Sequence, residues 1–373
     1  MTEALAASPA LAAAHLGRQE AQARRDVARL RPNPDLTVER TNDLPRDAAS
    51  LALPIERGGK RRSRIALAEA QAQSGEAELA RLTAETRNQV RRAYFTLAAE
   101  QRRAAETAEL QRLAENARDA ALIRFELGDV PRLDVLQAEL SAVQAANETD
   151  KALGQMSGAR AGLNALLGRP LDSPIVVSTG LDSGTAPPLL DTAIHLALAK
   201  STELAVLDLG IAEQQAQIEL ARAEAVRDLT AEAGVLHDAP PDFTWGWRAA
   251  LTITLPIFSR GKEQVRLEEA TLARLQAERD AAAARVRGEV ASAAAAAETQ
   301  RQALLRFRDE VLPRAAEVER MAEDSYRSGQ TDLTALLQSL QAIHDLRLQA
   351  VQAGNDYQNA LADLERAIGA PLP

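Results

Sequence analysis

The sequence predicts a mainly α-helical chain with a small antiparallel β part, built as two tandem copies of one unit. Three observations carry this reading. First, long stretches lack helix breakers. From Lys60 to Leu127 there is no proline, and Gly75 is the only glycine, which permits a helix on the order of 100 Å at about 1.5 Å per residue. Second, two short regions alternate apolar and polar residues with the period of a strand. Third, the text repeats itself. Leu53-Pro54-Ile55 returns as Leu255-Pro256-Ile257, and Gly59-Lys60 as Gly261-Lys262. "RFELGDVPRLDVLQ" around Gly128 returns as "SYRSGQTDLTALLQ" around Gly329, and "LLGRPL" from Leu166 as "AIGAPL" from Ala367.

Copy one covers residues 1–185 and copy two residues 186–373, joined by a Pro/Gly/Ser-rich linker near residues 168–188. Each copy opens with a helix, over about 3–31 and 201–227. A β-hairpin follows, over 35–56 and 229–258. "DLT" at Asp35 and at Asp228 marks the same place in each. The second copy carries about nine extra residues between "DLT" and "LPI", a length change that suits a hairpin tip. The tips read "NDLPRD" and "LHDAPPD", rich in turn formers. Phe243, Trp245, Trp247, Ala249, Leu251, Ile253 and Leu255 share one strand face, as do Ala49, Leu51, Leu53 and Ile55. Leu36, Val38 and Leu229, Ala231, Ala233, Val235 mark the partner strands, so each chain offers four.

The long helices run over 60–127 and 262–328, the second with a kink expected near Pro313. Gly128 and Gly329 end them as left-handed caps. Return helices occupy 131–167 and 332–368. Leu333, Leu336, Leu340 and Ile343 recur with 3-4 spacing, as do Val90, Tyr94 and Leu97, which reads as coiled-coil seams.

Composition narrows the function. Hydrophobic residues make up 46% of the 373 but aromatics only 3%, and alanine suits thin, closely packed helices more than a thick core. A net charge of −9 argues against nucleic acid as partner. With no cysteine, thiolate metal sites and thiol catalysis are excluded. His15, His195, His237 and His344 are scattered without metal-ligand spacing. No nucleophile–base pair or cofactor motif is present, so no enzyme, cofactor or metal centre is expected. "ERGGKRR" lacks the spacing of a phosphate loop. It reads instead as a strand-to-helix joint at Pro54, Gly59 and Lys60, repeated at Pro256, Gly261 and Lys262. Its basic residues oppose the helix dipole, which suggests lipid headgroups or nearby carboxylates as partners, or a solvated charge run. No apolar run reaches a transmembrane helix, and "MTEALAASPALAAAH" lacks the pattern of a signal peptide. That is expected either of a chain whose signal has been removed or of a cytoplasmic one.

Helices of this length must pair along their sides. Four strands with a full apolar face cannot stand alone in water. Two tryptophans at i and i+2 resemble the aromatic girdle of an outer-membrane strand. About eight strands are needed to close a barrel, so three chains would close one of twelve, with their helices forming a tube beneath. A sheet packed on the chain's own helices, and a soluble helical rod, remain open on pattern alone.

"RLRPNPDLTVE", "LALPIERGGKRRSRIALAEAQ", "RFELGDVPRLDVLQAEL" and "LLGRPL" resemble the outer-membrane efflux proteins. These are the TolC-like family, and the text is nearest to its heavy-metal (cobalt–zinc–cadmium) components. The resemblance covers essentially the whole chain, and its specificity lies in the ordered set, repeated twice. It implies a homotrimer with a twelve-stranded β-barrel in outer-membrane lipid and a long coiled-coil α-helical barrel across the periplasm. It implies as partners a periplasmic adaptor (membrane fusion) protein and an inner-membrane efflux pump, and a passive duct for metal cations or small toxic compounds. The periplasmic entrance, where the adaptor docks, maps onto Phe125, Gly128, Asp129 and Val130, with Tyr326, Gly329, Gln330 and Thr331. Phe243, Trp245 and Trp247 map to the membrane interface.

Two departures stand out. Relatives place aspartates past the second turn, where this chain has Ala335 and Gln338. An acidic constriction would therefore come from Asp134 and Asp332, three of each favouring cations. Asp129 and Asp332 are equally candidates to cap the return helices. The first hairpin is also short for strands that need about 9–11 residues to span. The competing function is a soluble periplasmic structural or adaptor coiled-coil protein.

Overall fold

The computed structural model describes residues 2–182 and 184–372. In chain order the elements are α1 (Thr2–Ala7), α2 (Pro9–Ala28), β1 (Asp35–Arg40), β2 (Asp47–Ile55), α3 (Lys60–Glu126), α4 (Arg132–Leu167), α5 (Leu190–Lys200), α6 (Thr202–Glu224), β3 (Leu229–Ala239), β4 (Phe243–Ile253), α7 (Lys262–Arg306), a π-helical turn (Phe307–Val311), α8 (Leu312–Arg327) and α9 (Leu333–Ile368). The fold is mainly helical with one four-stranded antiparallel sheet. Two compact units are distinguished. One holds Ala13–Arg81 and Thr202–Ala283, the other Met1–Ala12, Leu82–Ser201 and Ala284–Pro373.

The first unit carries the sheet, ordered β1-β2-β3-β4. Its two hairpin tips are tied together. The Arg46 amide donates to the Asp238 carbonyl at 3.1 Å, and its guanidinium to the Asp238 carboxylate at 3.2 Å. Asp238 has φ 63°, a left-handed conformation that aspartate tolerates through local hydrogen bonding.

The second unit is a helical bundle with a coiled-coil interior. On α4, Val135, Ala138, Ala142, Ala145, Thr149 and Ala152 are buried at 3-4 spacing. Val135 and Ala138 cluster with Leu333 of α9 and with Ala117 and Ala121 of α3, and Ala142 and Ala145 with Leu336 and Leu340 of α9 and with Leu110 and Ala114 of α3. Alanine on one side of a seam against leucine on the other lets helix axes approach closely. Fully buried Tyr357, Leu364 and Ile368 anchor the far half of α9, each worth roughly 1.5–3 kcal/mol on transfer from water.

Four expectations need correction. The opening helix is broken at Pro9, where the Leu11 amide reaches Ser8 Oγ at 3.4 Å. Proline lacks a donor and pushes its predecessor out of helical φ/ψ, so Ser8 starts a new helix. In copy two the opening helix ends at Glu224, and another helix, α5, precedes it, burying Ala193 and Ala197. The run over 262–328 is interrupted by the π turn, in which the Leu312 amide bonds the Phe307 carbonyl. The extra residue per turn absorbs the bond that Pro313 cannot make. Finally, β4 stops at Ile253, short of 258. Residues 254–258 have no strand beside them among the described residues, whereas Leu53, Pro54 and Ile55 pair with Ala231, Thr230 and Leu229 of β3.

Candidate functional site

The sheet gathers its apolar residues on one side. Directly paired residues share a face, and the register aligns Leu36 with Leu51, Val38 with Ala49, Leu51 with Ala233, Ala231 with Leu251, and Val235 with Trp247. These side chains are open to solvent, Trp245 by 68% and Trp247 by 81%. The opposite face carries Thr37, Ser50, Thr230 and Thr252, and an ion pair between Arg248 and Glu232 at 2.6 Å. Thr37, Arg248 and Thr252 on that opposite face are exposed too, so an apolar and a polar face both stand open, the two-sided pattern of strands set between lipid and water. Phe243 departs from the predicted aromatic trio, because its ring folds over Gly246, where an added Cβ would come within 2.8 Å. Trp245 contacts His237 on the neighbouring strand, with ring centroids 4.4 Å apart and the rings tilted by 50°. Among the described residues β1 pairs only with β2 and β4 only with β3, so both outer edges are open. The strands β2, β3 and β4 hold 9, 11 and 11 residues and β1 only 6, so the shortness noted in the sequence is confined to β1.

The joints beneath the sheet are built from glycine and an ion pair. Pro54 lies within β2, opposite Thr230, and Pro256 lies beyond the end of β4. Gly58, Gly59 and Gly261 have φ of 70°, 79° and 76°. Part of the basic run is held by partners within the chain. Lys60 Nζ donates to Asp228 Oδ2 at 2.7 Å, and the Arg57 amide to Asp228 Oδ1 at 3.0 Å. Burial pushes the Asp228 carboxyl up, but the Lys60 and Arg57 hydrogen bonds together with the charges of Lys60 and Arg64 outweigh it and lower the group from its usual range. Arg64 pairs with Glu56, and Arg61 and Arg64 donate to the carbonyls of Arg29 and Leu30, just past the end of α2. These cations therefore compensate the exposed carbonyls of a neighbouring helix end, not the dipole of their own helix. Asp228 was missed in the sequence as a site residue, although its place in the repeated "DLT" was a signal.

At the other end of the long helices, Gly128 and Gly329 take φ of 80° and 73°. The amides of Gly128 and Asp129 bond back to the carbonyls of Phe125 and Arg124, and those of Gly329 and Gln330 to Tyr326 and Ser325. The structure brings the two turns together: the Arg124 guanidinium sits 5.5 Å above the Tyr326 ring, and Thr334 Oγ1 donates to Gln137 Oε1 at 3.1 Å. Phe125, Asp129, Gln330 and Thr331 are exposed, Val130 and Tyr326 half-buried. Asp332 caps α9, accepting from the Ala335 amide at 2.8 Å. Asp129 caps nothing, since Pro131 holds that position on α4. Asp134 is half-buried in the first turn of α4, and no hydrogen bond or ion pair joins it to Asp332 among the described residues. Beyond this turn α4 presents a second stripe, Leu133, Leu136, Leu140 and Val143, again at 3-4 spacing but exposed. It has the form of a coiled-coil seam without its partner.

Comparison with known proteins agrees with this geometry. The model of the family described as outer membrane efflux protein matches residues 1–169 and 193–370. The cobalt-zinc-cadmium resistance protein CzcC of Cupriavidus metallidurans is 30% identical over 241 residues, which is 63% of this chain and 56% of that protein. The chain therefore aligns with little more than half of that relative. Among solved structures, CusC, described in terms of folding and transmembrane channel formation, superposes with a TM-score of 0.80 at 16% identity, over 99% of this chain and 91% of that one. A membrane protein from Pseudomonas aeruginosa gives 0.80 at 22%, over 99% and 92%.

Proposed function

This chain belongs to the outer membrane efflux protein family, and from that premise we propose that it is the outer-membrane duct of a tripartite efflux system. Three copies bring twelve strands, above the roughly eight needed for a closed barrel. Closure removes both open edges of the sheet and leaves its apolar face to lipid. The observation that carries the reading is that face: continuous across four strands, apolar and exposed. The unpartnered leucine stripe of α4 supports homotrimerisation, because a neighbouring helix would bury it.

The duct works without chemistry of its own, passing what an inner-membrane pump and a periplasmic adaptor deliver. The adaptor docks at the turns around Gly128 and Gly329. Asp134, with the carboxylate oxygen of Asp332 not used in capping, supplies negative potential at the entrance and favours cations. Likeness to a cobalt-zinc-cadmium resistance protein supports metal cations as cargo.

The test is expression with an export signal, detergent extraction of the outer membrane, and measurement of particle mass and single-channel conductance. A trimer that conducts is expected. A water-soluble monomer without conductance would refute the duct. Cobalt, zinc and cadmium tolerance, measured in cells with and without the chain, reads the cargo separately.

A further inference from the structure

The duplication supplies a template for the contact between copies. Within one chain, β2 of copy one lies beside β3 of copy two. Ile55 faces Leu229, Pro54 faces Thr230 and Leu53 faces Ala231. Just beyond the ladder, Lys60 grips Asp228 at 2.7 Å. Every residue of this contact has a counterpart at an outer edge of the sheet that the single chain leaves open. Leu53-Pro54-Ile55 corresponds to Leu255-Pro256-Ile257, and Lys60 to Lys262. Asp228-Leu229-Thr230 corresponds to Asp35-Leu36-Thr37. Leu255, Ile257 and Phe258 are exposed in a stretch outside any strand, where the Ile257 amide bonds only the Leu255 carbonyl, at 3.0 Å. Asp35 and Lys262 are exposed, and neither side chain has a hydrogen-bond or ion-pair partner among the described residues.

We infer that residues 255–257, just past β4, extend that strand in one copy and pair with β1 of a second copy of this chain in the register of β2 on β3, and that Lys262 forms an ion pair with the neighbouring copy's Asp35. This rests on the ring proposed above and adds the register and residues that close it. Carrying the template across sets Ile257 against Leu36, Pro256 against Thr37 and Leu255 against Val38. The first two pairs are of the same residue types as Ile55–Leu229 and Pro54–Thr230, both from "LPI" meeting "DLT". The faces agree as well. Leu36 and Val38 lie on the apolar side of the sheet with Leu51, and an extension of β4 past Ile253 would carry Leu255 and Ile257 to the side of Leu251 and Ile253 by the period of two. Proline causes no loss, for Pro54 already sits opposite threonine in the observed ladder. Charge is complementary. Around Gly261 the surface is lined by Arg260, Lys262 and Arg266, beside Arg222, which is paired with Glu219 and Glu269, and the incoming strand begins with an aspartate. The contact also explains why β4 ends early: residues 254–258 lack the strand that copy one has beside them. Only the loop differs, because Arg260 stands at the place of Gly58. The interface is head-to-tail, with β4 meeting β1, and such contacts repeat until a ring closes.

The chain has no cysteine, so introduced thiols report alone. Leu36→Cys with Ile257→Cys places two thiols directly opposite, within disulfide reach. Val38→Cys with Ile257→Cys shifts the pair by one diagonal, about 7–8 Å away. Mild oxidation of the detergent-extracted protein should link the first pair into covalent oligomers at least about tenfold faster than the second, and each single variant should stay unlinked. Asp35→Lys and Lys262→Asp should each lower the temperature at which oligomers dissociate, and the two together should restore it. An intact oligomer that links equally or better through the shifted pair overturns the register while leaving the ring standing. A doubly swapped protein no better than the singles overturns the ion pair. A monomer that links through neither pair overturns the inference and the ring together, and native mass of the unmodified protein separates that outcome from the others.

Discussion

Gly58→Ala and Gly59→Ala form a matched test of how the strand-to-helix joint is built. Both residues hold positive φ, 70° and 79°, so alanine at either costs about 1–2 kcal/mol for the left-handed conformation. Only Gly58 also lacks space. A Cβ there would lie 2.6 Å from Val226 Cβ and 2.9 Å from the Ala223 carbonyl, whereas nothing lies within 4 Å at Gly59. Neither obstacle is the far end of a flexible side chain, so the end of α6 must shift, adding about 1–3 kcal/mol of overpacking strain. The expected losses are about 2–5 kcal/mol for Gly58→Ala and about 1–2 for Gly59→Ala. In a sheet-bearing unit of this size, roughly 2–4 °C accompanies each kcal/mol. Far-ultraviolet circular dichroism melts of the two variants in the same detergent would read the difference. Equal losses, or a larger loss at Gly59, would refute the argument that close approach of α6 dictates glycine at position 58.

Three further outcomes follow from the same geometry. Asp332→Ala removes a side-chain cap and should cost about 1 kcal/mol in thermal or chemical melts, while Asp129→Ala, which caps nothing, should fall within about 0.5 kcal/mol of the parent. Asp228→Asn should lower stability at neutral pH. Because the folded Asp228 carboxyl titrates below its ordinary value, its contribution is full above the unfolded carboxylate range and fades as pH falls through the folded one, a fade the variant should lack. His344 is buried, its Nε2 has no hydrogen-bond partner and lies 4.0 Å from Glu148. Burial holds the imidazole below its ordinary value, outweighing the pull of Glu148, Asp345 and Glu106. The unfolded chain binds the proton more readily, so stability is full above about pH 6.5 and declines as pH falls below it. His344→Val, which installs the residue type that copy one has at Val143, should flatten that acid decline in melts between about pH 7.5 and 5.5.

Local periodicity and local φ requirements were sufficient for much of this protein. Alternation along Trp245, Trp247, Ala249 and Leu251 put them on one face because the pleat enforces a period of two. The absence of breakers from Lys60 onward yielded α3, and glycine at 128 and 329 marked the turns because few other residues hold positive φ there. The duplication went further, since two copies of one text imply two copies of one contact. Partner choice was decided only in three dimensions. "ERGGKRR" reads the same whether its cations meet water, lipid or carbonyl oxygens. The approach of Asp228 and of the residues just past α2 turned it into a clamp. Asp129 and Asp332 were equivalent candidates as caps until Pro131 took that place in one turn and left it to Asp332 in the other. The direction of the apolar sheet face was likewise beyond the sequence. Alternation fixes which residues share a face, but burial depends on what packs against it, and Leu36, Val38, Trp247 and Leu251 stay exposed among the described residues.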